Sequence, residues 1–117
     1  MHLPQLAAQL AINLPQALER FGHNEALYIK YLKLCPQETT FSDFRRAIST
    51  QDSVALAESA HALKGLCGNL GLTSLQMPLA HIVQLQRHGD AQGAMLAASA
   101  LQASLERTLN LLSQLEN

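Results

Sequence analysis

The sequence predicts an all-α fold: an antiparallel up-down four-helix bundle preceded by short N-terminal helices. Three observations carry this. Hydrophobic residues make up 48% of the 117 residues but aromatics only 4%, with no Trp. Leu and Ala therefore supply most of the apolar surface, and both favour packed helices over sheets. Apolar residues also recur at steps of three and four, as in Leu56, Ala60, Leu63, Cys67 and Leu70. That is the spacing of one buried helix face. Finally, the links between the later helices are only about two to four residues long, so neighbouring helices must run antiparallel. A chain of this length supports one domain, residues 1–117, with one core. No repeat, low-complexity run or linker divides it.

Leu3 to Ile12 reads as a short helix with Leu6 and Leu10 apolar. Asn13-Leu14-Pro15 is a helix start, with Asn as N-cap and Pro in the first turn. Leu14, Ala17, Leu18 and Phe21 line that helix, and Gly22 stops it. Asn24 caps the next, which presents Leu27, Tyr28, Tyr31, Leu32 and Leu34. Cys35-Pro36 breaks it, because proline disfavours helix in the residue before it. The first bundle helix spans about 38–48, with Phe41, Phe44, Ala47 and Ile48 inward. Asp52 or Thr50 caps the second, 53–70, and Gly71 follows as its C′ residue. Thr73-Ser74-Leu75-Gln76 reads as a capping box opening the third, 74–88, with Leu75, Leu79, Ile82, Val83 and Leu85 inward. Pro78 requires either a later start or a kink. Gly89-Asp90 closes that helix and caps the fourth, 91–114, where Leu96, Leu101, Leu105, Leu109 and Leu112 repeat.

Several function classes are argued against. The net charge of −1 does not suit a nucleic-acid module, which shows a basic face. No apolar run is long enough to cross a membrane. The amino end lacks the basic-then-apolar pattern of a secretion signal. The expectation is a cytoplasmic monomer with no nucleic-acid or membrane contact. Cys35 and Cys67 show no metal-ligand spacing, and Cys67 falls on the apolar stripe as a small hydrophobe. Unpaired thiols suit a reducing compartment.

The chemistry concentrates in His61-Ala62-Leu63-Lys64-Gly65-Leu66-Cys67-Gly68-Asn69-Leu70-Gly71. At about 100° per residue, His61 lies roughly 160° from Leu63, on the solvent side. Gly65 and Gly68 follow it at i+4 and i+7, on the same outer face. Each glycine costs about 1 kcal/mol against alanine inside a helix. Two on one exposed face need a reason, and a cleared approach to the imidazole supplies one. Lys64 stands one turn away, about 4.5 Å along the axis. An imidazole, an ammonium and bare backbone suit a docked phosphoryl group.

This stretch, His-Ala-Leu-Lys-Gly-x-x-Gly-Asn-Leu-Gly with Ala60 before it, resembles the signature of histidine-containing phosphotransfer (HPt) domains of bacterial phosphorelays. Leu14 to Gly22, the Leu-Tyr-rich helix and Gln51-Asp52 carry weaker similarity. The resemblance implies a phosphate carrier rather than a kinase. His61, through Nε2, would take a phosphoryl group from the aspartate of a receiver domain and give it to another receiver. Lys64 would pair with the phosphoryl oxygens. Ala57, Gly65, Gly68 and Asn69 would meet the partner on the face of this helix and its successor. The partners implied are response-regulator receiver domains, including that of a hybrid sensor kinase. The domain itself would need no cofactor, since receivers hold Mg²⁺ themselves. Two positions depart from the family pattern. Leu66 stands where a small residue is usual, at the core edge or in an apolar docking patch, and Gln84 where an acidic one is usual.

Position alone would make His61 and Lys64 solvated surface residues; their register with Gly65, Gly68 and Gly71 argues otherwise. His2, His23, His81 and His88 read as surface histidines. A zinc set of His61, His81 and Cys67 is opposed by direction, since Cys67 points inward and His61 outward. A receiver-binding or helical interaction module that carries no phosphate would present the same surface. A hydrolase using His61 as general base needs a cleft and a second catalytic group.

Overall fold

The computed structural model describes residues 1–116; Asn117, the last residue of the expected domain, lies outside them. Among the described residues the chain is all-helical, with no strand. Its elements are α1 (Leu3–Leu10), α2 (Leu14–Arg20), α3 (Glu25–Leu34), a 3-10 turn (Cys35–Gln37), α4 (Thr39–Ser49), α5 (Ser53–Asn69), α6 (Thr73–Arg87) and α7 (Ala91–Ser113). Side-chain caps set many of the starts. Asn13 accepts from the Gln16 N–H, Asn24 from Leu27, Asp52 from Ala55 and Asp90 from Gly93. Each satisfies a backbone donor that a helix N-terminus leaves without a partner.

Consecutive helices α4, α5, α6 and α7 pack against one another, and α4 also meets α7. Arg45 on α4 and Glu106 on α7 form an ion pair at 2.7 Å. One core runs from Leu3 to Leu115, with Tyr28, Phe41 and Phe44 fully buried in it. Helices α1 and α3 lean on α7. Ala17 of α2 reaches Gly71, and the Tyr28 hydroxyl of α3 donates to the Leu70 carbonyl at 2.7 Å. The N-terminal helices thus cover the end of the fold where α5 stops and α6 begins.

Four details differ from the sequence reading. Helix α1 stops at Leu10, because Ala11 turns left-handed (φ 53) and ends it before Ile12. Leu96 is 68% exposed, since Ala94, Met95, Ala98 and Leu101 form the buried stripe. The five-residue step from Leu96 to Leu101 puts them roughly 140° apart. In α3 the inward residues are Tyr28, Ile29 and Leu32, leaving Tyr31 and Leu34 exposed. The Thr73 capping box does not form: Leu72 is the N-cap, and the Thr73 hydroxyl donates to the Gly71 carbonyl at 3.4 Å. The link is too tight for it. Leu72 donates back to the Cys67 carbonyl at 2.8 Å while already opening α6. Pro78 then lies inside α6, leaving the Ser74 carbonyl without its usual i+4 donor.

Candidate functional site

Helix α5 carries the candidate residues, and its register decides where each one points. Leu56, Ser59, Ala60, Leu63, Cys67 and Gly68 are buried. His61, Ala62, Gly65 and Asn69 are exposed, while Ala57, Lys64 and Leu66 are half-buried. Buried Ser59 is satisfied within the helix, donating to the Ala55 carbonyl at 2.8 Å. His61 therefore projects from an unbroken helix rather than from a loop.

Both ends of α5 are held. Asp52 caps its first turn. Gly71 adopts φ 73, the left-handed geometry of a C′ residue, and allows the Leu72 to Cys67 closing bond. Tyr28 and Arg20 add donors from the N-terminal helices, to the Leu70 and Gly68 carbonyls respectively. The helix has orphan acceptors here, and a guanidinium also suits the negative end of its dipole.

Two ties place α6 alongside. Gln86, near the end of α6, donates to the Ser53 carbonyl at the start of α5 at 3.3 Å. Gln76, near the start of α6, lies over Gly68 near the end of α5. The helices are antiparallel, and interpolation between the ties puts His61 level with about Ala80–His81. Gly68 and Lys64, four residues apart, share the α6 edge of α5.

The two glycines differ. At Gly65 a Cβ would meet nothing within 4 Å, so the backbone beside His61 is bare. At Gly68 a Cβ would meet Gln76 Nε2 at 2.6 Å, and the Arg20 guanidinium occupies the carbonyl. The expectation of open backbone at Gly68 is corrected: its missing side chain admits Gln76 from α6, and the residue is buried. Arg20 escaped the sequence reading, and Gln76 was read there only as part of the capping box, because their contacts with Gly68 arise from tertiary packing, which no local pattern announces.

The remaining groups separate. Lys64 makes no ion pair among the described residues. Leu66 packs against the edge of the core. Gln84, His81 and His88 are exposed, as is His23, whose φ is 60. Cys67 is in the core, and burial pushes its thiol up to about 12, so it stays protonated. No group of three His, Cys, Asp or Glu side chains could hold a metal ion among the described residues. A groove of about 330 Å³ between α4 and α5 is lined by Asp43, Arg46, Asp52, Glu58 and Ser59 but not by His61. The imidazole stands exposed on the face of α5, outside that groove.

Among the described residues, no helix is long and apolar enough to cross a membrane. No curated protein and no solved structure gives a match to the chain. A family model for the Hpt domain matches residues 37–116, well over half the chain and all of α4 to α7 with His61 among them. The chain belongs to the Hpt domain family, whose members are phosphocarrier modules that interact with receiver domains.

Proposed function

We propose that the chain is a phosphorelay intermediate with His61 as its phosphorylated residue. The observation that carries this reading is an exposed imidazole on α5, inside the family-matched span, beside a glycine with open space around it. A neutral imidazole has a ring nitrogen available for attack. Nε2 attacks the phosphorus of a receiver's aspartyl phosphate. The N–P bond forms as the O–P bond breaks, and the aspartate leaves as a carboxylate. A second receiver's aspartate reverses the step. Such transfer asks the protein for in-line positioning and charge stabilisation.

Lys64 supplies the charge, standing one turn from His61 with no carboxylate among the described residues paired to it. Ala57, Gly65 and Asn69 are direct docking contacts, while Gly68 contributes through the side chains that cover it. The partners are receiver domains, including that of a hybrid sensor kinase, and the receiver holds the Mg²⁺. In the same reading the chain is one domain, α4 to α7 form an antiparallel up-down bundle, and the protein works as a cytoplasmic monomer.

Incubation with receivers carrying radiolabelled phosphate tests this. Wild type becomes labelled in an acid-labile, alkali-stable form. His61→Gln abolishes the label and keeps the helical circular dichroism spectrum, and Lys64→Ala slows transfer more than it weakens docking. Normal receiver binding without label on His61 overturns the proposal in favour of an interaction module that carries no phosphate.

A further inference from the structure

We infer, resting on the reading of His61 as a receiver's phosphoacceptor, that Arg20 of α2 is a specificity-determining docking residue. It is a fixed cation that takes a surface carboxylate of the receiver. Arg20 precedes the family-matched span, residues 37–116. Its guanidinium donates to the Gly68 carbonyl and so is held against α5. Gly68 follows His61 by seven residues, roughly 10 Å along the helix axis. An interface of ordinary size covers about 800 Å² on each partner, which reaches roughly 16 Å in every direction from its centre. A receiver centred on His61 therefore reaches Arg20.

The guanidinium is not used up by Gly68. It carries five N–H donors in a rigid fork, and a carboxylate can take two at once. The Arg20 residue is exposed and makes no ion pair among the described residues. A cleft of about 200 Å³ opens beside it, lined by Asn13, Gln16, Gly68, Thr73 and Gln76, with no carboxylate in its lining. Lys64 and Arg20 thus set positive charge along the α6 edge of α5. The α4 side is different, for Asp43, Asp52 and Glu58 line its groove with only Arg46 to oppose them. A receiver approaches with an aspartyl phosphate and its neighbouring carboxylates. Attraction to one edge and repulsion from the other set which way round it docks.

The test uses the receiver that labels wild type fastest, with transfer measured against receiver concentration. Arg20→Ala is expected to raise the half-maximal concentration about five-fold at low salt, and Arg20→Glu further, with the maximal rate unchanged. The difference shrinks as salt rises. Labelling by phosphoramidate, a small donor that needs no docking surface, stays at the wild-type rate in Arg20→Ala. Equal loss with phosphoramidate and receiver would make Arg20 a support for α5 alone and overturn the inference, as would receiver kinetics identical to wild type. Binding is also titrated in a His61→Gln background. There, weaker binding of the Arg20→Ala double variant upholds the docking role even if His61 proves not to be the phosphoacceptor. Equal binding overturns that role while leaving the His61 reading intact.

Discussion

Gly65→Ala separates what the fold wants from what a partner wants. Gly65 lies inside α5, exposed, with nothing within 4 Å of the position its Cβ would take. Alanine there meets no steric obstacle and removes the conformational freedom that glycine loses on folding. The helix-propensity difference predicts a gain of about 1 kcal/mol. For a domain of this size that is a rise of roughly 4 °C in melting temperature. The folded chain therefore has no internal use for this glycine. On the proposed function its use lies in what approaches from outside, one turn beyond His61.

The same methyl group should obstruct a receiver. Crowding a close-packed contact by one carbon costs about 1–3 kcal/mol, so transfer at low receiver concentration should fall about tenfold. Thermal unfolding and receiver-dependent transfer, measured on the same preparation, give the two readings. Higher stability with unchanged transfer would refute the docking argument; lower stability would refute the local geometry. Gly68→Ala is the internal control. Its Cβ would meet the flexible end of Gln76 at 2.6 Å, so that side chain must move. The strain offsets the propensity gain, and stability should stay within about 1 kcal/mol of wild type.

Gly71→Ala should destabilise by about 2 kcal/mol in urea titration, because the position has φ 73 and a Cβ there would stand 3.0 Å from that of Ala17. Tyr28→Phe removes the donor to the buried Leu70 carbonyl and should cost about 1–2 kcal/mol by the same measurement. Alkaline pH should destabilise the chain. Burial raises Cys35 and Cys67 from 9.0 to about 12, and Tyr28 from 10.0 to about 12. The unfolded chain loses these protons first, so their stabilising effect is full below pH 9 and declines as pH rises from 9 to 12. Urea midpoints between pH 8 and 11 should fall, and the fall should be shallower in a Cys35→Ala, Cys67→Ala variant.

The all-helical class was legible because leucine spacing and capping residues are local signals. Asn13, Asn24, Asp52 and Asp90 each cap the helix they precede, since a short side-chain acceptor needs only the next turn. The outward direction of His61 followed from the same periodicity. Where the reading failed, tertiary packing had replaced the local rule. Thr73 has the residue type of a cap, yet the return of Leu72 to Cys67 leaves it inside the helix. Gly68 has the register of an open position, yet Gln76 fills the space from α6. Leu96 was misjudged because a leucine was preferred to the smaller Ala94 and Ala98, which hold the true stripe. Arg20 carried no signal at all, since its acceptor lies 48 residues away.

As the phosphoacceptor proposed above, His61 stands exposed on a helix face rather than in a cleft. A histidine in a cleft is oriented by walls on several sides, whereas His61 must take its position from the backbone beneath it. In-line transfer is sensitive to displacements on the order of 1 Å. That requirement gives the clamped ends of α5 a functional meaning. The N-terminal end is fixed by Asp52 and by Gln86 on the Ser53 carbonyl, the other by Tyr28 on the Leu70 carbonyl and by the left-handed turn at Gly71. Between them the inner face is anchored by Leu56, Ala60 and Leu63, each fully buried. Loosening the far clamp, as Tyr28→Phe does, should therefore slow transfer as well as lower stability. In the transfer assay the loss should fall on the maximal rate rather than on receiver affinity, the reverse of the pattern expected for Arg20→Ala. A Tyr28→Phe variant that folds less stably yet transfers at the full wild-type rate would show that His61 does not depend on that end being fixed.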